Sequence, residues 1–280
     1  MTRRSSCEEL FRKNEIRSEK CAQQLHSLNR NNSLHFKIMA FGLTTAVISE
    51  FASRPYIQRA LSSPRSPVSV LSFYLGIDIQ ADSSEDTSLE TGSFINDMAP
   101  FWFFGHEDYD KLCTPFIPVV RDAGEKKLIY DKVTDWNSVD GKLSQLILCD
   151  QLSRNCFRGT DEAFQYDDVA LEIAKNLSAS SVADDANFHG SYSIFLILAL
   201  MHSEDLKDHQ LAAQVIEKAK ISCPAFEWKI QDEFLLDHTT VIERFGRYPH
   251  RNKKKGRETT KEEEEWLNSP DVPSWAKSQG

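Results

Sequence analysis

The spacing of apolar side chains is the strongest constraint on the fold. From about residue 95 onwards apolar residues recur with the period of an amphipathic helix, and no stretch of the 280-residue chain shows sustained apolar–polar alternation. Helical segments on short loops pack as a bundle or as a stack of helical hairpins. We therefore expect an all-α protein of one of these two kinds.

Several helices are expected. Their approximate ranges are 142–157, a helix capped by Thr160, 191–203, 206–220, 225–245, and a last helix that begins at Thr259 or Thr260 with a capping box.

The helix expected from about Lys142 to Phe157 carries charges on an apolar face. At 100° per residue Asp150 and Arg154 fall in the same sector as Leu143. The opposite side is apolar as well, so the helix is expected to be surrounded by protein. Because a buried charge is costly unless it is paired, Asp150 and Arg154 are predicted to belong either to a structural network or to a site.

Composition divides the chain into segments. Residues 1–65 hold 11 Lys/Arg and only 5 Asp/Glu, and the run 62–67 is typical of a linker. We expect a basic N-terminal extension over 1–66, poorly ordered or a transit segment, then a helical domain over 67–268 and a tail over 269–280. An acidic stretch at 79–94 is expected to be an inserted loop.

Charge and apolar content argue against several classes of protein. The net charge of −9 argues against nucleic-acid binding, and no apolar run approaches the ~20 residues that span a bilayer. Six cysteines without a CxxC pair are expected to be reduced. We expect a cytoplasmic protein, or a mitochondrial or plastid one if residues 1–65 are a transit segment; the oligomeric state is left open.

Three polar clusters hold the candidate ligand-binding residues. The first lies on the 142–157 helix, the second ends the apolar 191–203 helix, and the third is the donor-rich segment 244–252 with His238, which is expected to be buried. Their members are Asp150, Gln151, Arg154, Asn155, Arg158, His202, Glu204, Asp205, His238, Arg244, Arg247, His250, Arg251 and Asn252.

The five arginines of these clusters favour anion binding, since a guanidinium fork suits carboxylate or phosphate. The ligand would be a small anionic molecule or an acidic peptide in an Arg/His-lined pocket. One alternative is a structural scaffold in which the arginines pair with Asp150, Glu204 and Asp205. Another is a hydrolase-like or metal-assisted enzyme that uses His202, Glu204 and His238.

Known catalytic and cofactor patterns are missing from the sequence. The spacing matches no helical zinc motif, no Gly-rich nucleotide loop and no Gly-x-Ser-x-Gly. We expect no metal and no cofactor, and no catalytic residue is assigned.

The same motifs resemble the mostly bacterial domain-of-unknown-function family 924. The resemblance covers about residues 68–268 and rests on Val70–Gly76, Phe101–Phe104 with Asp110, Leu146–Asn155 with Arg158 and Gly159, Met201–Asp205 with Gln210, and His238 with 244–252, Gly256, Arg257 and Thr260. Tyr74 and Cys149 stand where the family has tryptophan and leucine, and the 79–94 insert also departs from the pattern. The resemblance implies a tetratricopeptide-like right-handed superhelix, and it carries no established activity.

Overall fold

The computed structural model describes residues 43–80, 87–103, 105–130, 135–179, 188–270, 272–273 and 275–276. Across these ranges the chain is helical and contains no β-strand, which confirms the all-α prediction. The α-helices are α1 (Thr45–Ala52), α2 (Pro55–Ser62), α3 (Pro67–Leu75), α4 (Ser88–Thr91), α5 (Ser93–Phe103), α6 (Glu107–Cys113), α7 (Ile117–Gly124), α8 (Val139–Ile147), α9 (Ser153–Cys156), α10 (Asp167–Ser178), α11 (Ser193–Met201), α12 (Leu206–Ser222), α13 (Lys229–Phe245) and α14 (Lys261–Leu267).

The helices that position the site stack largely in chain order. Helix α3 packs on α8, α8 on α10, α10 on α11, α11 on α12, and α12 on α13. All nine residues of α11 are buried, so this helix forms the centre of the stack. The right-handed superhelix remains a prediction.

The helix expected over 142–157 is not one regular helix. It begins earlier, because Ser138 caps α8 by accepting a hydrogen bond from the Gly141 amide. A π turn, Leu148–Leu152, then separates α8 from α9. Such wide turns are rare and frequently occur at functional sites, and this one contains Asp150.

Other helix boundaries differ from the expected ones. Thr160 makes no capping hydrogen bond; a 3₁₀ turn, Asp161–Phe164, follows it, and α10 begins only at Asp167. Helix α13 begins at Lys229, a few residues after the expected start.

The capping box expected at the last helix is confirmed. Thr260 accepts from the Glu263 amide and the Glu263 carboxylate accepts from the Thr260 amide. Two backbone amide groups at the start of α14, which have no partner within the helix, thereby make hydrogen bonds.

The folded part of the chain begins before residue 67, in contrast to the expected boundary. Phe51 of α1 is fully buried, and its ring centroid lies 5.9 Å from that of Phe73 and 4.9 Å from that of Phe101. Residues 43–66 therefore pack with the helical domain. Residues 1–42, the rest of the expected extension, lie outside the described residues.

The expected insert and tail are only partly loops. Helix α4 and the start of α5 fall within 79–94, while residues 81–86 lie outside the described residues. Val272 and Ala276 of the expected tail are buried in a small core with Trp266. Residues 271, 274 and 277–280 are not described.

Two further expectations concern the membrane and the cysteines. In the described part of the chain no helix has both the length and the apolar content to cross a membrane. Cys113, Cys149, Cys156 and Cys223 are free thiols, as expected, and Cys7 and Cys21 lie outside the described residues.

The packing of α1 can be tested with Phe51→Ala. Removing a fully buried phenylalanine should lower the free energy of unfolding by about 3–5 kcal/mol in urea denaturation. Phe234→Ala is the matched control, because that ring is 43% exposed and should cost much less. Equal losses for the two variants would show that α1 does not belong to the core.

Candidate functional site

A buried carboxylate, that of Asp150, is the centre of a charged network. Its Oδ1 lies 2.7 Å from His202 Nδ1 and 3.3 Å from Arg154 Nη1, and the Gln151 amide donates to Oδ2. Burial alone would raise the pKa of Asp150, but Arg154 and His202 outweigh it and hold the pKa well below its usual range. Asp150 is therefore an ionised, fully partnered group, as the sequence predicted for a paired charge.

The network continues through a second carboxylate and a second arginine. Arg154 Nη2 donates to Asp167 Oδ1 at 3.1 Å, and Arg251 Nη1 lies 3.5 Å from Asp167 Oδ2. Arg251 Nη1 also donates to the carbonyl of His202 at 2.8 Å. The π turn, α10, the end of α11 and the 3₁₀ turn Pro249–Arg251 are thus joined by one chain of contacts.

A cavity of about 240 Å³ lies beside this network. It is lined by Asp161, Phe164, Gln165, Arg251, Lys254 and Lys255.

Phe164 sits among three cations at this cavity. The Cζ atoms of Arg154 and Arg251 lie 5.3 and 5.4 Å from its ring centroid, and Lys254 Nζ lies 5.0 Å away. These are cation–π distances. Burial lowers the pKa of Lys254 below its ordinary value, and Asp161 opposes that shift.

Arg251 keeps an unused donor at the cavity. Its side chain is 6% exposed, and its Nε is buried without a hydrogen-bond acceptor among the described residues. A buried, unpaired donor of a charged group is costly. Arg251 therefore has one buried N–H group whose hydrogen bond is not made within the described part of the chain.

The other predicted arginines are paired with carboxylates. Arg158 donates to Asp110 at 2.5 and 3.0 Å, Arg247 donates to Glu263 at 2.6 and 2.9 Å, and the exposed Arg244 donates to Glu262 at 3.1 Å. Two predicted amides join these pairs. Asn155 Nδ2 donates to Asp110 at 3.0 Å, and Asn252 Nδ2 donates to Glu263 at 3.2 Å.

The scaffold hypothesis expected Asp150, Glu204 and Asp205 to pair with the predicted arginines, and the structure differs from that expectation. Only Asp150 pairs with a predicted arginine. Glu204 accepts from Arg257 at 2.7 and 2.9 Å and from the Tyr248 amide at 2.9 Å. Asp205 caps α12 by accepting from the Lys207 amide, and lies outside the network.

His238 is buried, as expected, and is occupied by structural contacts. Its Nδ1 lies 2.7 Å from the Phe234 carbonyl, and its ring stacks on Trp275 with centroids 3.9 Å apart. Burial, with nearby His202, lowers its pKa to about 3. Burial, with Arg251, lowers the pKa of His250 to about 2.

The trio proposed for an enzyme is not brought together by hydrogen bonds. The His202 and His238 ring centroids are 6.4 Å apart, and Glu204 is held by Arg257. Among the described residues, no three or more His, Cys, Asp or Glu side chains are grouped as a metal site.

Several residues of the network and of the cavity wall were not among the sequence candidates, Phe164, Asp167 and Lys254 among them. Phe164 falls in the helix that was expected to follow Thr160, whereas it lies in the 3₁₀ turn and lines the cavity. Asp167 had no distinguishing signal. Lys254 lies in a run of three lysines beside the donor-rich segment, which was the available sign of a cationic surface.

The low pKa of His238 predicts a pH-dependent stability. A histidine whose folded pKa lies below its unfolded value of about 6.5 stabilises the fold above that pH, and the contribution is lost as pH falls toward the folded pKa. His238→Phe keeps an aromatic ring on Trp275 without a titratable group. Between about pH 6 and about pH 4, its free energy of unfolding should fall less steeply than that of the wild type, by up to ~1.4 kcal/mol per pH unit.

Urea unfolding at a series of pH values measures both slopes. The circular dichroism spectrum at neutral pH is the control for an unchanged fold. Identical slopes in the two proteins would mean that His238 is not held neutral.

Comparisons with known proteins agree with this architecture. A family model described as a bacterial protein of unknown function, DUF924, matches residues 91–271. A solved structure of a protein of unknown function from Agrobacterium tumefaciens is similar to this chain, with 26% sequence identity and a TM-score of 0.50. The match covers 64% of this chain and 98% of that protein's chain. No match is found among curated proteins. The chain belongs to the DUF924 family.

Proposed function

We propose that the protein binds a small anion, through a phosphate or carboxylate group, in the cavity beside Phe164. Arg251 carries this proposal, because it lines the cavity and its Nε is a buried charged donor without a hydrogen-bond acceptor among the described residues. An anionic oxygen would accept this N–H and form a charge-assisted hydrogen bond.

The charge of the cavity wall supports an anion over a cation. The residues that line the cavity include three cations, Arg251, Lys254 and Lys255, and one carboxylate, that of Asp161, on a chain whose net charge is −9; Arg251 also contacts Asp167. Cationic groups kept together on an acidic protein repel one another unless an anion is near. The volume of about 240 Å³ suits a small molecule or the end of an acidic side chain.

The site is narrower than the pocket inferred from sequence. Arg154, Arg158 and Arg247 have carboxylate partners and are structural in this proposal. Of the sequence candidates, Arg251 is the residue that would contact the ligand. Lys254 and Lys255 would join it.

A purely structural role is the competing hypothesis. It is favoured by the same pairs, since most of the predicted donors already have internal acceptors. In that case Arg251 would serve only to join Asp167 to the end of α11. Ligand binding separates the two hypotheses.

Adjacent lysines provide a matched test of anion binding. Lys254 lines the proposed site, whereas Lys253 lines a different cavity with Pro249 and Leu267. Inorganic phosphate should raise the melting temperature of the wild type at low ionic strength, since a ligand of the folded state stabilises it. Lys254→Ala should weaken phosphate binding by roughly 10- to 150-fold, because a charge-assisted hydrogen bond contributes about 1.5–3 kcal/mol.

Lys253→Ala removes the same charge from the same loop and should bind phosphate nearly as well as the wild type. Calorimetric titration with phosphate, sulfate and succinate measures the affinities. If none of these anions binds, or if both variants weaken binding equally, the proposed site is wrong and the structural hypothesis stands.

A further inference from the structure

The contact between Asp150 and His202 fixes the proton on the imidazole ring. His202 Nδ1 lies 2.7 Å from Asp150 Oδ1 and 3.2 Å from Arg154 Nη2. An arginine nitrogen only donates, and a carboxylate oxygen only accepts. If Nδ1 carried no hydrogen, its lone pair would lie 2.7 Å from the ionised Asp150 oxygen, and the two would repel each other. Arg154 Nη2 does not need Nδ1 as an acceptor, because it already donates to Asp167. Nδ1 therefore carries the hydrogen and donates it to Asp150.

The second ring nitrogen of His202 is then a bare acceptor. Nε2 makes no hydrogen bond with the described residues and is not one of their buried polar atoms that lack a partner. The His202 side chain is 15% exposed, so the ring is not completely enclosed by protein. Burial lowers the pKa of His202, and the contact with Asp150 opposes that shift.

The carboxylate behind this histidine is held rigidly. The Gln151 side chain donates to Asp150 and accepts from the Tyr74 hydroxyl at 3.1 Å, and Tyr74 itself is fully buried. The π turn places Asp150 and Gln151 together in the interior. A base whose ring is oriented by a buried carboxylate is the arrangement that general-base catalysis requires.

The histidine shares an arginine with the proposed anion site. Arg251 donates to the His202 carbonyl at 2.8 Å and also lines the cavity. Arg154 contacts the His202 ring and the Phe164 ring, which lines the same cavity. The His202 ring and the cavity wall are thus joined through Arg154 and Arg251.

We propose that Asp150 and His202 form a general-base pair that activates water against a small anionic ester held at Arg251 and Lys254. This inference rests on the proposed anion site. His202 Nε2 takes a proton from water as the water oxygen bonds to the phosphorus or acyl carbon. The bond to the leaving oxygen breaks, and the proton on Nε2 passes to that oxygen, so the ring returns to its neutral form.

Two chromogenic esters test the step: p-nitrophenyl phosphate and p-nitrophenyl hemisuccinate. The wild type should hydrolyse at least one of them, and His202→Gln should lower kcat/KM by about 100-fold or more, the usual contribution of a general base. His209→Gln is the control, since His209 bonds to Ser203 and Thr239 and has no contact with Asp150. A wild type that hydrolyses neither ester, or a His202→Gln variant that retains full activity, overturns the proposal.

A measurement on the unaltered protein guards against a variant that fails to fold. Diethyl pyrocarbonate acylates an accessible bare imidazole nitrogen, and mass spectrometry reports each site. His202 should react at least about tenfold faster than buried His209, whose two ring nitrogens both make hydrogen bonds and whose reaction requires local opening. Unreactive His202 in folded protein contradicts the bare, open Nε2 on which the proposal depends.

The failure of this inference is distinguishable from failure of the anion site. Phosphate that binds without any ester hydrolysis leaves the anion site standing and removes the catalytic step. Absence of phosphate binding removes the anion site, and with it this inference.

Discussion

The pairing of buried charges is the constraint on which this structure depends. Asp150, Arg154, Asp167 and Arg251 alternate in sign and each contacts the next. A buried pair that loses one member leaves an uncompensated charge, at a cost of about 3–5 kcal/mol. The four side chains come from the π turn, α9, α10 and the turn after α13, so their mutual pairing fixes how these elements meet.

The network also explains why one arginine differs from the rest. Arg158 and Arg247 each meet a single carboxylate through two nitrogens, which uses the guanidinium fork fully. Arg251 shares Asp167 with Arg154 and uses Nη1 for both Asp167 and the His202 carbonyl. Its Nε has no hydrogen-bond acceptor among the described residues. The proposed anion site thus rests on this difference among arginines that look alike in the sequence: Arg251 shares Asp167 with Arg154, whereas Arg158 and Arg247 each meet a carboxylate through two nitrogens.

The fold was largely predictable from local patterns, and the site only in part. The apolar face around Leu143 and the position of His238 correctly predicted burial of Asp150, Arg154 and His238, because helical periodicity reports burial directly. The π turn has no periodic signature, so the helix was expected to be regular. The pairs Arg247–Glu263 and Glu204–Arg257 were not predicted, because their members lie 16 and 53 residues apart in the sequence.

The central claim is that Arg251 presents a free Nε–H group to an anion in the cavity beside Phe164. Nuclear magnetic resonance of the arginine Nε–H groups measures this directly during titration with inorganic phosphate. The Arg251 signal should shift in a saturable way, while that of Arg247, whose Nε donates to Glu263 at 2.6 Å, should remain in place. An Arg251 signal that does not move at any phosphate concentration would contradict the claim.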